Sequence, residues 1–205
     1  MSRWNFIKRN KVTSIFVLVL VLGGIVGTIF GVAQSNGCGG YKDNTLIERN
    51  GHEIKWDKKD LPVPVIVIDQ SLSPSAFKAA YEAINYINSI ANHPIFLMAT
   101  NVVGDHEGQA AVMLVPYKGE KQNKGITQHA LSKEEPWRIV SALVTLPDTG
   151  NQRANYKIAV HEFLHVLGLA HDEIETSIMF PRLLNHKNQD ITYKDQELIK
   201  ELYSQ

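Results

Sequence analysis

The segment His161-Glu162-Phe163-Leu164-His165-Val166-Leu167-Gly168-Leu169-Ala170-His171 sets three imidazoles, one carboxylate and one glycine at fixed offsets in an otherwise apolar run. On an α-helix His161 and His165 stand one turn apart on one face, so both can aim a ring nitrogen at a single metal ion about 2.0–2.1 Å away. His171 joins them only if the helix stops, because ten more residues at about 1.5 Å each would carry it roughly 15 Å along the axis. Gly168, able to take a positive φ, is the expected stopping point. Three neutral imidazoles leave the fourth position of a tetrahedral zinc open, as in catalytic rather than structural sites. Glu162, next to the first ligand, points beside the metal, where it would act on a water molecule and not as a ligand. Left without a charged partner among Val160, Phe163, Leu164 and Leu167, it would be costly to bury.

Several elements must carry this segment. Pro147-Asp148-Thr149-Gly150 reads as a turn, and the helix bearing His161 and His165 is expected to begin between residues 151 and 155. Upstream, Val63 to Ile68 is a β-branched run bounded by Pro62 and Asp69, a strand buried on both faces. Ser73-Pro74 pairs an N-cap with a first-turn proline, and Phe77, Ala80, Tyr81, Ile84, Ile87 and Ala91 recur at helical steps up to about Asn92. Further strands are expected at Ile95 to Ala99, Ala111 to Val115 and Arg138 to Leu146. Gly125 to Leu131 is either a short edge strand or a connecting loop. Near the C-terminus Thr192-Tyr193-Lys194-Asp195 matches a capping box, followed by a helix with Leu198, Ile199, Leu202 and Tyr203 on one face.

The pattern H-E-x-x-H-x-x-G-x-x-H, with Met179 in Ser177-Ile178-Met179-Phe180-Pro181 eight residues after His171, resembles the metzincin zinc peptidases. That spacing, and the proline after the methionine, are most similar to the matrixin branch, over roughly residues 61 to 205. The resemblance implies an α+β (α/β) catalytic domain: a twisted, mostly parallel sheet with an antiparallel edge strand, an active-site helix, a Met turn and a C-terminal helix. It implies a zinc endopeptidase acting on a protein or peptide substrate, with one catalytic zinc on His161, His165 and His171 and Glu162 as general base towards a zinc-activated water. Met179 would form an apolar floor under the metal, and Asp195 would support the Met turn, although a helix-cap role alone also accounts for it. Gly125 to Leu131 would be the upper rim of the cleft, pairing with extended substrate. Pro181 and Leu183 would line the pocket for the residue after the cleaved bond, a medium apolar side chain. Leu183 stands where matrixins commonly have tyrosine, and Phe163-Leu164 is bulkier than the family's small residue before the second histidine.

Structural zinc and calcium sites are not evident. Asp105-His106-Glu107 lacks accompanying ligands and His129 stands alone, so both histidines are expected at the surface, as is His93; His52 and His186 also lack companions. A competing reading is a catalytically weak, membrane-tethered zinc-binding or adhesion module, against which the intact Glu162 argues. A structural zinc protein is disfavoured by the three-ligand count.

The 205 residues, 44% hydrophobic and 20% charged, suit one globular domain with an appendage, and a net charge of zero gives no reason to expect a nucleic-acid partner. The appendage divides into a basic cytoplasmic segment (1–13), an uncharged apolar run (14–33) and a linker and lead-in (34–60), ahead of the 61–205 domain. The run from Ser14 to Ala33 is long enough to cross a bilayer, which takes about 20 residues. It therefore reads as a transmembrane signal anchor leaving the domain outside the cytoplasm; cleavage near Ala33 would secrete it instead. Cys38 is the single cysteine, so no internal disulfide exists; it could stay free, be lipidated or link two otherwise monomeric chains. The motif of the family's propeptide cysteine switch is missing around Cys38.

Overall fold

The computed structural model describes residues 46–99, 110–119, 124–182 and 188–204. The expected anchor and its basic flank, Cys38, His106, Leu183 and His186 lie outside the described residues.

The described chain opens with a hairpin, β1 (Glu48–Arg49) against β2 (His52–Glu53). Its turn is Asn50-Gly51, with φ of 51° and 79°, the two positive values that Asn-Gly adopts in hairpins. Part of the linker and lead-in expected over 34–60 is thus regular structure. Leu46, Ile54 and Trp56 are buried in the core, and Lys55 bridges to Arg138 in strand fashion. The segment is bound by apolar side chains that its polar neighbours conceal in the sequence.

The main sheet has β3 (Val63–Val67), β4 (Phe96–Ala99), β5 (Ala111–Pro116), β6 (Ile126–Leu131) and β7 (Ile139–Leu146) in the spatial order β4-β3-β5-β7-β6. Every neighbouring pair is parallel except β6 with β7, so Ile126–Leu131 is a strand, antiparallel and at the edge. Along β5 and β7, Val112, Leu114, Val144 and Leu146 are buried, while Met113, Val115, Leu143 and Thr145 are only partly covered. The sheet thus commits alternate side chains to the core.

Helix α1 (Pro74–Ala91) starts and stops where its punctuation places it: Ser73 Oγ accepts from Ala76 N, and Asn92 ends it at a φ of 60°. Its buried face differs from the expected one. Ala76, Ala79, Ala80, Ala83, Ile84, Ile87, Ile90 and Ala91 are covered, whereas Phe77 and Tyr81 are 39% and 50% exposed. Alanines let α1 lie close against α2 (Gln152–Val166), an approach that two aromatic rings on that face would prevent. Asn155, buried at the start of α2, reinforces this contact by donating to Ser75 Oγ at 2.8 Å while accepting from Thr149 Oγ1 at 2.7 Å. The closing helix α3 (Tyr193–Tyr203) carries the expected capping box of Thr192 and Asp195 and buries Ile199 and Tyr203. His93, expected to face solvent beyond α1, instead bonds through Nε2 to the Tyr203 carbonyl.

Candidate metal centre

Helix α2 begins at an Asn151 cap, whose side chain accepts from Arg153 N and Ala154 N, and presents His161, Glu162 and His165 on its last turns. It ends at Gly168 with a φ of 93°. There Gly168 N donates to His165 O at 2.8 Å and Leu169 N to Leu164 O at 3.1 Å, the paired bonds of a Schellman stop. A β-carbon on residue 168 would overlap the Ile54 carbonyl oxygen, so only glycine fits on steric as well as conformational grounds. The reversal brings His171 back to the face carrying the other two imidazoles.

The three Nε2 atoms lie 3.0, 3.1 and 3.2 Å apart. Donors about 2.0–2.1 Å from one tetrahedral ion would stand roughly 3.3 Å from each other. The opposite ring nitrogens fix the tautomer. His161 Nδ1 donates to Ile178 O at 2.7 Å and His165 Nδ1 to Leu169 O at 2.8 Å. Since a carbonyl can only accept, both Nδ1 atoms carry the proton and both Nε2 atoms are bare lone pairs. Lone pairs this close repel unless a cation lies among them, so the donor set fits zinc, and carbonyls behind the rings orient them as outer partners of metal ligands do. Burial lowers all three imidazoles, His161 to about 4 and His165 well below its usual range, so they are neutral at pH 7 as ligands must be.

Glu162 is 5% exposed and faces β6. Its Oε2 accepts from Thr127 Oγ1 at 2.8 Å. Burial pushes its carboxyl up to about 7, against the opposing effect of the Thr127 hydroxyl. The sequence places Thr127 only within the expected cleft rim, Gly125 to Leu131, with no role beside Glu162; the alternation that faces 127, 129 and 131 inward is the signal for one. His129, expected at the surface, is a further correction. Its ring is half-buried and Nε2 donates to His165 O at 2.8 Å, and burial lowers it to about 4. No second metal-binding group appears among the described residues.

The Met turn packs under this centre, with Met179 fully buried and its nitrogen donating to Ser177 Oγ at 2.9 Å. Ile178 N reaches Asp190 O at 2.7 Å and Asp190 N reaches Thr176 O at 3.0 Å, clamping the turn to the approach of α3. Asp195 lies behind it, buried, but its Oδ2 accepts from Thr192 N and Oγ1, at 3.1 and 2.7 Å, and not from the Met turn. Burial raises its carboxyl, helped by the charge of Asp172. Pro181 is exposed after the turn.

A fourth group of residues closes the end of α2. Trp56 Nε1 donates to Val166 O at 2.8 Å and Tyr203 Oη to Leu167 O at 2.7 Å. Neither residue stands out in the sequence, because each is more than thirty positions from the histidines.

A five-stranded, mostly parallel sheet with an antiparallel edge, a helix bearing two histidines, a glycine stop returning the third and a methionine turn beneath them together define a metzincin-type zinc centre. The model of the matrixin family of M10 peptidases matches residues 101–204, half of the chain, and the chain belongs to that family. The metalloendoproteinase 2-MMP of Arabidopsis thaliana is 47% identical over 47 residues, 22% of this chain and 12% of the relative. The chain therefore matches about an eighth of that relative's length. Two solved structures are similar over part of their length. High choriolytic enzyme 1, a hatching-enzyme zinc protease from Oryzias latipes, is 15% identical with a TM-score of 0.40, covering 62% of this chain and 55% of its own. Metalloproteinase-II from Bacteroides fragilis is 12% identical with a TM-score of 0.45, covering 80% and 58%.

Proposed function

We propose that this protein is a zinc-dependent endopeptidase that cleaves protein or peptide substrates outside the cytoplasm. The observation that carries this reading is the meeting of three Nε2 atoms within 3.2 Å, two of them held proton-free by their Nδ1 bonds, beside a buried glutamate on the helix that bears those two. Zinc held there by His161, His165 and His171 would supply a Lewis acid for the scissile carbonyl and make water a stronger acid. The work of the chain itself is positional and basic. The outer edge of β6 ends the sheet, so its backbone can receive an extended substrate as an added strand. Glu162 takes a proton from the attacking water and passes it to the departing amine nitrogen. Nδ1–H bonds to Ile178 O and Leu169 O keep the two helical ligands turned inward throughout.

The apolar run Ser14 to Ala33 supports a tethered enzyme with its domain on the outer side; among the described residues no helix is long and apolar enough to cross a membrane. The mass of the mature protein and its partition between membrane and medium separate a retained anchor from cleavage near Ala33.

The activity is tested with full-length, zinc-loaded protein against a mixed peptide library, beside Glu162→Ala. Cleavage by the wild type, and none above background by the variant at equal zinc content, is the expected result. Stoichiometric zinc with no cleavage above the variant would leave a zinc-binding module and overturn the peptidase reading.

A further inference from the structure

We propose that Thr127 is the positioning residue of the general base: its hydroxyl, presented by the inner face of β6, holds Oε2 of Glu162 so that Oε1 is the oxygen that exchanges the proton. This rests on the peptidase reading above.

Thr127 sits in antiparallel register with Val144, and the strand's alternation directs its side chain to α2, where it is 2% exposed. Its hydroxyl has one hydrogen and two acceptors in reach, Glu162 Oε2 at 2.8 Å and the Glu162 carbonyl at 3.0 Å. The carboxylate is the nearer and the charged one, and hydrogen bonds to charged acceptors are about twice as strong as neutral ones. A helical carbonyl, besides, has its own partner one turn on. The hydrogen therefore goes to Oε2.

The other carboxylate oxygen is bounded by Gly125, just before the strand. A β-carbon there would come within 2.5 Å of Oε1 and 2.7 Å of Cδ. No side chain fits without moving the carboxylate, so Gly125 leaves the room that the base occupies. Two residues beyond Thr127, His129 donates to His165 O and fixes β6 along the helix. Base and ligand helix are thus joined to one strand at two points, and that strand's outer edge is where substrate would pair.

In the reaction, a water O–H proton passes to Oε1 as the water oxygen bonds to the scissile carbon. The same proton then leaves Oε1 for the amine nitrogen as the C–N bond breaks, which restores the carboxylate. Thr127 keeps its hydrogen on Oε2 in both steps. It transfers nothing and only limits the rotation of the carboxylate about its last bond, which is why its loss should appear in kcat and not in binding.

The test uses the full chain loaded with zinc. Thr127→Val, of equal size, should lower kcat about ten- to a hundredfold with KM and zinc stoichiometry unchanged, and Thr127→Ser should recover kcat to within about twofold. Gly125→Ala should lower kcat in the same manner. In zinc-free protein, urea unfolding of Thr127→Val, Glu162→Ala and the double variant should be non-additive. Wild-type kcat in Thr127→Val, an equal loss in Thr127→Ser, or additivity in the zinc-free cycle would each overturn the proposal. Should Thr127→Val not fold, Thr127→Ala against Thr127→Ser makes the same decision. If no peptide is cleaved above Glu162→Ala, the peptidase reading fails, and the zinc-free cycle alone then decides whether the Thr127 hydroxyl holds the carboxylate.

Discussion

Trp56 Nε1 donates to the carbonyl oxygen of Val166 across 2.8 Å, linking residues 110 positions apart at the end of the helix that carries His161 and His165. The last carbonyls of any helix lack partners within it. Here Tyr203 Oη takes the next one, Leu167 O, and Gly168 N and His129 Nε2 share His165 O. Trp56→Phe keeps most of the buried ring but leaves Val166 O unpaired. It should destabilise the domain by about 1–3 kcal/mol in urea unfolding, with zinc stoichiometry intact in the folded fraction.

Gly168→Ala should be more damaging than an exposed glycine-to-alanine change. A positive φ costs an alanine about 1–3 kcal/mol, and the added methyl meets the Ile54 carbonyl, which is backbone and cannot turn aside. The reversal that returns His171 is then displaced, so zinc affinity measured by competition with a chelator should fall together with stability. Stability lost at unchanged affinity would contradict this coupling.

Removing the metal should lower the unfolding temperature, because an ion that binds only the folded chain stabilises it by about 2.7 kcal/mol at a hundred times its Kd. His171→Ala, which deletes the ligand beyond the glycine stop, should show a much smaller difference between chelator-treated and zinc-supplemented melting curves.

Away from the metal, the turn after β3 yields a pH prediction. Asp69 is held down to about 2 by the Ser71 hydroxyl first, then the Ser71 N–H and Lys118, whose bonds to it are 2.8 and 3.0 Å. Its folded pKa lies below its unfolded one, so the contribution is complete above about pH 4 and disappears as pH falls towards 2. Carboxyl-carbon NMR titration should place its midpoint near 2. Ser71→Ala should move that midpoint upward further than Lys118→Ala.

The sheet and helices were readable in the sequence where punctuation was strong. Ser73-Pro74 and Asn92 bracket α1, Thr192 starts α3, and the β-branched runs became β3, β5 and β7 within a residue or two. The three histidines that could hold a metal were readable because a metal imposes short, fixed offsets. What could not be read depended on distant partners. Helical spacing identifies α1 but cannot say that Phe77 and Tyr81 point outward while alanines meet α2, because that depends on how closely the other helix approaches. His129 was read as a lone surface histidine because its partner is a backbone carbonyl, which has no letter in a sequence. Asn50-Gly51 was a legible hairpin signal, and the apolar contribution of Leu46, Ile54 and Trp56 was obscured by the charged residues between them.

The closure of α2 also has a bearing on biosynthesis. Trp56 precedes the histidines by more than a hundred residues and Tyr203 follows His171 by about thirty, yet both must be docked before the carbonyls at the end of α2 are satisfied. A nascent chain that already contains His161, His165 and His171 still lacks the hydroxyl that closes the helix. Closure of the helix that carries His161 and His165 therefore waits for a residue made after all three histidines.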